Sequence, residues 1–224
     1  MNARGQGAFD LSADRARALA LTPVSREAEK KLDAFVALLL RWQCTINLVA
    51  PSTLPALWTR HVADSLQLLA LAPDTTTWVD FGSGGGFPGI PIACALGAEG
   101  MVHLIESNGK KAAFLREAVR TLKLRAEIHA MRAEKFGETW PGRADVVTAR
   151  ALAPLKTLCG QALPLIAKGA IGLFPKGQDV AAELTEAAKY WRIEASKVPS
   201  RTAPDGCVVR ITGLHALGRT QARP

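Results

Sequence analysis

Along the chain the spacing of apolar positions changes character near residue 77. Before it, Leu32, Phe35, Val36, Leu39 and Leu40 recur at helical spacing as far as Trp42, with Ser25 placed as N-cap and Glu27 and Glu29 in the first turn. Acids there meet the positive end of the helix dipole, so the pattern predicts an amphipathic helix. A second helix is expected over 53–71, marked by Leu57, His61, Leu68 and Leu69 and ended by Pro73. Residues 1–23 are rich in Ala and Arg, show no clear period, and read as a flexible N-terminal arm.

After residue 77 short apolar runs alternate with helical stretches. Strands are expected at 78–81, 101–105, 145–148, 170–174 and 207–211, with a weaker run at 126–131 and with 193–198 as partner of the last. Helices fit at 89–98, 109–124, 153–167 and 178–191. Such alternation means βαβ units and an α/β fold, a mostly parallel seven-stranded sheet covered on both faces. The last two strands have no helix between them, which predicts an antiparallel edge hairpin. The expected division is an arm (1–23), a helical N-terminal extension (24–73), an α/β domain (74–213) and a tail (214–224).

Composition narrows the class. A chain of 224 residues buries about 70% of its unfolded surface, enough for a core without staples. No apolar run approaches the ~18–20 residues of a membrane span, and the first twenty residues lack the apolar stretch of a secretory signal. Cysteines at 44, 94, 159 and 207 never form a Cys-x-x-Cys pair, which argues against a zinc knuckle or a redox site. A cytoplasmic monomer with no membrane partner and no metal is the expectation.

Charge adds a partner class. The formal charge is +8, and the excess is uneven: residues 1–79 carry 8 basic and 7 acidic side chains, residues 80–224 carry 20 and 13. Residues 107–132 alone hold 7 basic against 2 acidic residues. On a helical wheel Phe114, Leu115, Ala118 and Leu122 share one arc, leaving Arg116, Arg120 and Lys123 as an exposed stripe on another. A basic face on such a domain points to a polyanion, nucleic acid above all.

The sharpest chemistry lies in Asp80-Phe81-Gly82-Ser83-Gly84-Gly85-Gly86-Phe87-Pro88-Gly89-Ile90-Pro91, which follows the first strand of the α/β part and opens a helix. Glycines let the chain turn tightly and approach a ligand with its backbone, and this loop falls where open α/β sheets bind ligands. Gly84-x-Gly86-x-x-Gly89 matches a dinucleotide pattern by letter. Pro88 and Pro91, however, disturb the first helical turn that a pyrophosphate needs, and Asp80 sets a carboxylate beside it. A ligand with an ammonium group and no phosphate suits Asp80, and S-adenosylmethionine is such a ligand. Glu106, ending the second strand, is placed to accept ribose hydroxyls.

These residues also resemble a known family. The stretch 80–91 is similar to the signature of the small-subunit ribosomal RNA methyltransferase G family, once called glucose-inhibited division protein B. Further matches follow in order: Asn47-Leu48, residues 60–66, residues 106–115, Ala133-Glu134, residues 148–155 and Lys176-Gly177, so that the resemblance covers about 30–212. It implies a class I (Rossmann-like) methyltransferase fold and methylation of guanine N7 around position 527 of bacterial 16S rRNA, on free RNA or an assembling small subunit. By motif match the cofactor contacts carry over to Gly82, Phe87, Ala133, Glu134 and Arg150, with Phe87 packing on the cofactor and Ala133-Glu134 meeting the adenine.

Guanine N7 carries an in-plane lone pair and no proton, so its methylation calls for positioning rather than a catalytic base. After the fourth strand stands Thr148-Ala149-Arg150-Ala151, not the Asn/Asp-Pro-Pro-aromatic stretch of exocyclic-amine methyltransferases, and no Pro-Cys pair offers a cytosine-C5 nucleophile. Arg150, at a strand end, can bind a phosphate, the cofactor carboxylate or guanine O6, or else make a structural ion pair with Asp145 or another acid. Lys176 is a second phosphate candidate, with a surface lysine as the competing reading. Arg60 and Asp64 at i,i+4 fit an ordinary helix ion pair of ~0.3–0.5 kcal/mol. With the resemblance, Arg60, His61 and Asp64 together read as an RNA-side or cofactor-gating element, with a satisfied, half-buried histidine as the competing reading of His61. Two rival classes stand beside this: a small-molecule S-adenosylmethionine-dependent methyltransferase, which gains nothing from the basic cluster, and a noncatalytic RNA-binding domain.

Overall fold

A computed structural model of the chain describes residues 10–217. The α/β part begins with β1 (Thr77–Phe81), α4 (Gly89–Leu96), β2 (Met101–Ile105), α5 (Gly109–Leu122) and β3 (Ala126–His129). It continues through α6 (Ala133–Thr139), β4 (Val146–Ala149), α7 (Leu155–Ile166), β5 (Ile171–Lys176), α8 (Val180–Ala187), β6 (Trp191–Pro199) and β7 (Cys207–Ala216). The seven strands lie in the order β3-β2-β1-β4-β5-β7-β6. All pairs are parallel except β5–β7 and β6–β7, so the expected edge hairpin is present. The order reverses between β1 and β4, the topological switch point of such sheets.

Side chains alternate between the faces of a strand. On β1 this sends Trp78 into the core formed with Phe35, Leu39, Ile90 and Phe114, and Val79 and Phe81 into the core formed with Phe136, Leu158, Leu165 and Phe174. The first core is covered by α4, α5 and the N-terminal helices, the second by α6, α7 and α8. At the far edge Trp191 Nε1 donates to Lys156 O (3.0 Å), fastening the hairpin to α7.

Three expectations are corrected. Residues within the expected flexible arm form α1 (Ser12–Leu21), with Ala18 1% exposed. Its lack of apolar period hides a helix held by tertiary contacts. Asp14 accepts from the Trp58 and Thr59 backbone N–H groups at 2.8 and 3.3 Å, and Arg15 pairs with Asp33 at 2.6 Å. Residues 1–9 lie outside the described residues. Helix α2 (Arg26–Gln43) forms as expected, capped by Ser25 Oγ accepting from Ala28 N.

The second correction concerns 53–71. Instead of one α-helix, the chain runs through a 3-10 turn (Pro51–Ala56), a π-helical turn (Trp58–Ala63), α3 (Asp64–Leu66) and a second 3-10 turn (Gln67–Leu71). Pro55 sits inside the first turn, where it cannot donate a helical hydrogen bond. The π turn carries bonds from i to i+5, which rotates every later side chain relative to α-helical expectation. Third, the expected tail at 214–224 begins too early: Leu214 is 3% exposed and β7 pairs with β6 as far as Trp191↔Ala216. The remainder of that tail, 218–224, lies outside the described residues. Helix α6 went unforeseen because its seven residues are too short to show a period.

Candidate active site

The glycine loop is built by backbone conformation. Gly82, Gly84 and Gly86 hold φ of +66°, +54° and +89°, a region that costs an L-residue about 1–2 kcal/mol. At Gly86 a Cβ would meet Ile90 Cγ1 at 2.8 Å and Phe35 Cζ at 3.0 Å, so this glycine also serves packing. A Cβ on Gly84 would meet only Gly82 O at 3.6 Å, so Gly84 faces open space. Over Gly82 lies Leu152, whose Cδ1 would sit 2.6 Å from an added Cβ.

Two carboxylates brace this loop. Asp80 is fully buried, and its Oδ2 accepts from Gly89 N at 3.1 Å, at the start of α4. The first N–H of α4 is therefore already used, which fits poorly with a pyrophosphate there. Asp80 Oδ1 has no hydrogen-bond partner among the described residues. Burial pushes this carboxyl up to about 7, against the lowering effect of Ser83, Gly89 and Arg150. Glu106 Oε2 accepts from Gly84 N (2.9 Å) and Oε1 from Asn108 N (2.6 Å), so β2 grips the loop beside it. The set fits a nucleoside ligand with a cationic end: an orphaned buried carboxylate oxygen, an open glycine, and a carboxylate with acceptor capacity left on each oxygen.

Across the switch point, Arg150 is a hub. Its Nη2 donates to His61 Nδ1 (2.6 Å), its Nη1 to Arg60 O (3.1 Å), and Nη1 lies 3.5 Å from Asp64 Oδ2. Its Cζ lies 5.3 Å from the centroid of the Phe87 ring. Since a guanidinium only donates, His61 Nδ1 must be the acceptor and Nε2 must carry the proton toward Thr53 Oγ1, 2.8 Å away. Burial, then the charges of Arg150 and Arg60, push His61 down to about 3. Burial also lowers Arg150 from its ordinary value, against the raising effect of Asp64 and Asp80.

The ion pair expected between Arg60 and Asp64 is replaced. Asp64 turns to Arg150, Gln67 Nε2 (2.8 Å) and Thr202 Oγ1 (2.8 Å), because the π turn moves it off the face of Arg60. Gln67 Oε1 in turn accepts from Arg201 N at 2.8 Å, stitching the N-terminal extension to the β6–β7 loop. Nor is Lys176 a free surface lysine. Its Nζ lies 2.7 Å from Glu183 Oε2 and donates to Ala153 O at 3.0 Å. These groups border a cleft of about 1030 Å³ whose walls include Arg60, Asp64, Arg150, Leu152, Lys176 and Thr202.

The remaining expected residues are dispersed. Phe87 is 4% exposed, wedged among Phe35, His61 and Arg150 rather than presented openly. Ala133 is buried at the start of α6, and exposed Glu134 accepts from Gln161 Nε2 at 2.7 Å on α7. Arg116, Arg120 and Lys123 are exposed as the wheel predicts, but none lines the cleft. Sequence reasoning missed Leu152, Glu183, Gln67 and Thr202. Each gains its position from tertiary contact, and only Glu183, at i+7 from Lys176 on an expected helix, left any signal.

A seven-stranded sheet of this order, with a braced glycine loop at its switch point, defines the class I methyltransferase fold. Solved structures agree on the fold. The cofactor-bound Rv0187 protein from MTB has a TM-score of 0.60 at 17% identity, covering 93% of this chain and 99% of that one. A ribosomal protein L11 methylase from Lactobacillus delbrueckii subsp. bulgaricus has 0.52 at 18%, covering 70% and 79%. The chain belongs to the rRNA small subunit methyltransferase G family, whose profile matches residues 28–205. Curated relatives called ribosomal RNA small subunit methyltransferase G include one from Bradyrhizobium sp., 59% identical over 90% of this chain and 92% of its own length. Another, from Rhodopseudomonas palustris, is 54% identical over 96% and 93%.

Proposed function

We propose that the protein transfers the methyl group of S-adenosylmethionine to N7 of a guanine in 16S rRNA, the one around position 527. Family membership supports the substrate class, and the carrying observation for the chemistry is the tie between Arg150 and His61. It sets a permanent cation, rather than a proton acceptor, beside the glycine loop. His61 is spent as acceptor to Arg150 and cannot serve as a base near neutral pH, and N7 needs none.

When bound, the cofactor supplies an electrophilic methyl group on a sulfonium. Asp80 Oδ1 is the residue atom suited to its ammonium, Glu106 to its ribose, and Ala133 with Glu134 to its adenine. Gly84 leaves open the space that a side chain would fill, and Gly82 lets Leu152 lie against the loop. The cleft side serves the RNA. Arg150 and Arg60 present cations for phosphate or for guanine O6, while Lys176, already paired, orders the wall at Ala153 and Glu183 rather than reaching out. The exposed stripe Arg116, Arg120 and Lys123 offers a second electrostatic contact remote from the cleft.

The test is to incubate purified protein with labelled S-adenosylmethionine and 16S rRNA or small subunits lacking the modification, then map 7-methylguanosine by base-specific cleavage. A single modified guanine near 527 is the expected result. Transfer to a small metabolite with no salt dependence, and none to RNA, would sink the reading in favour of a small-molecule methyltransferase.

A further inference from the structure

Two of the chain's four histidines meet away from the cleft. Parallel pairing of β2 and β3 sets His103 opposite Glu127, and Glu127 and His129 share a face because side chains alternate. His103 Nδ1 lies 3.0 Å from His129 Nε2, and Glu127 Oε2 lies 3.6 Å from the first and 3.8 Å from the second. We propose that His103, Glu127 and His129 form a binding site for one divalent transition-metal ion of the zinc class.

Geometry carries the proposal. A triangle with sides of 3.0, 3.6 and 3.8 Å has one point about 2.0 Å from all three corners, which is the length of zinc–nitrogen and zinc–oxygen bonds. No backbone movement is needed to bring the three ligand atoms to bonding distance of a common centre. The donor set selects the ion. Two imidazoles and one carboxylate suit zinc, copper or nickel, whereas calcium and magnesium favour sets made of oxygen. At that point the three ligand atoms surround the ion in one plane, so a tetrahedral site with its fourth position open needs the exposed Glu127 carboxylate to swing slightly inward and the ion to rise out of that plane.

The surroundings differ on the two sides. Beneath lie aromatic rings, with His103 4.8 Å from Trp140 and His129 4.8 Å from Phe136 between centroids. Such an apolar floor keeps water from competing on that side and fixes the ring planes. Glu127 has a side chain 62% exposed, which gives an ion an open approach and a ligand free to swing onto it. The competing reading is a plain N–H···N hydrogen bond between neutral rings with a surface glutamate alongside. In the metal-bound form the ring that donates moves its proton to its other nitrogen, so both rings stay neutral and both facing nitrogens offer lone pairs to the ion. The site meets the proposed methyltransferase machinery through backbone, where Glu106 N donates to His129 O at 3.1 Å, and through Phe136 on α6, the helix of Ala133 and Glu134.

Zinc and cobalt(II) titrations of the full chain test this. In a Cys44→Ser background, which removes the exposed thiol, calorimetry should give one zinc ion per chain, and cobalt should give a tetrahedral visible spectrum without thiolate charge transfer. His129→Gln should weaken binding at least about tenfold, the scale of losing even a supporting group around a metal, and Glu127→Gln should weaken it as well. Circular dichroism and the unfolding midpoint without metal check that each variant is folded. Absence of saturable zinc binding by the folded wild-type chain would overturn the proposal. So would zinc affinity unchanged by His129→Gln, which would place the ion elsewhere.

Discussion

At the β1–β2 end of the sheet, backbone does the holding: three glycines with positive φ, and carboxylates of Asp80 and Glu106 that accept from loop N–H groups. At the β4–β5–β7 end, side chains hold one another: Arg150 with His61 and Asp64, Lys176 with Glu183, Gln67 with the 200–202 loop. The first half tolerates little change in residue type because conformation itself is the constraint. The second is sensitive to isolated deletion because each change removes a charge-assisted bond from a half-buried network. Substitutions should therefore act sharply but separately in the two halves, and Arg150, which touches both, should be the exception.

The largest effect is expected there. Arg150→Met takes the cation from half-buried Asp64 and the donor from His61 Nδ1, a combined loss of about 3 kcal/mol. Urea unfolding measures it, and unchanged stability would remove the hub from the comparison. Gly84→Val comes next. Its strained backbone and added bulk should weaken S-adenosylmethionine by at least about 100-fold in calorimetry, roughly 2.7 kcal/mol, while RNA affinity stays. Unaltered cofactor binding would disprove the loop assignment.

A pH series separates the halves without mutation. Asp80 titrates near 7 in the folded chain, above the ordinary value of 3.8, because it is buried. As pH falls from 8 to 6 it gains a proton and loses its attraction for a cation, so cofactor affinity should drop up to about tenfold. His61, held near 3, does not titrate there, so the single-turnover rate at saturating cofactor should stay flat. A rate rising tenfold per pH unit between 6 and 8 would instead demand a base. For stability the sign is opposite to that of an ordinary paired acid. The contribution from protonated Asp80 is fully present below 3.8 and is lost as pH rises through 7. Asp80→Asn should flatten both curves.

Smaller effects test the periphery. Charge reversal of Arg116 and Arg120 together should flatten the log–log salt dependence of RNA binding by about 0.7 for each phosphate no longer neutralised, leaving cofactor affinity alone. Normal methylation and salt slope would mark the stripe as surface and confine RNA to the cleft. The smallest is Ala151→Gly. Ala151 holds φ +53° between Arg150 and Leu152. Relief of about 1–2 kcal/mol, less the entropy glycine adds to the unfolded chain, should raise the unfolding midpoint slightly.

Legibility follows the same division. The glycine loop can be read because its constraint is local: residues 80–91 are contiguous, and glycine spacing after a strand has few meanings. The strand alternation and edge hairpin are readable for the same reason. The cleft is not. By helical arithmetic Asp64 is a partner of Arg60, but a π turn rotates it toward Arg150, and an α-helical period cannot foresee that. Lys176 reads as free because Glu183 stands a loop and a helical turn away. Helix α1 reads as an arm because Asp14, its anchor, bonds to residues 44 and 45 positions later.

The stitch between Asp64, Gln67 and the 200–202 loop has a consequence for the order of synthesis. Its hydrogen bonds join residues 133 to 138 positions apart, and contacts so distant form late in folding because the intervening chain must close first. A nascent chain that ends after β5 already contains the glycine loop and its bracing carboxylates. It still lacks the wall that completes the cleft. Competence for a large substrate therefore arrives with the final hairpin, after the small-ligand half is in place.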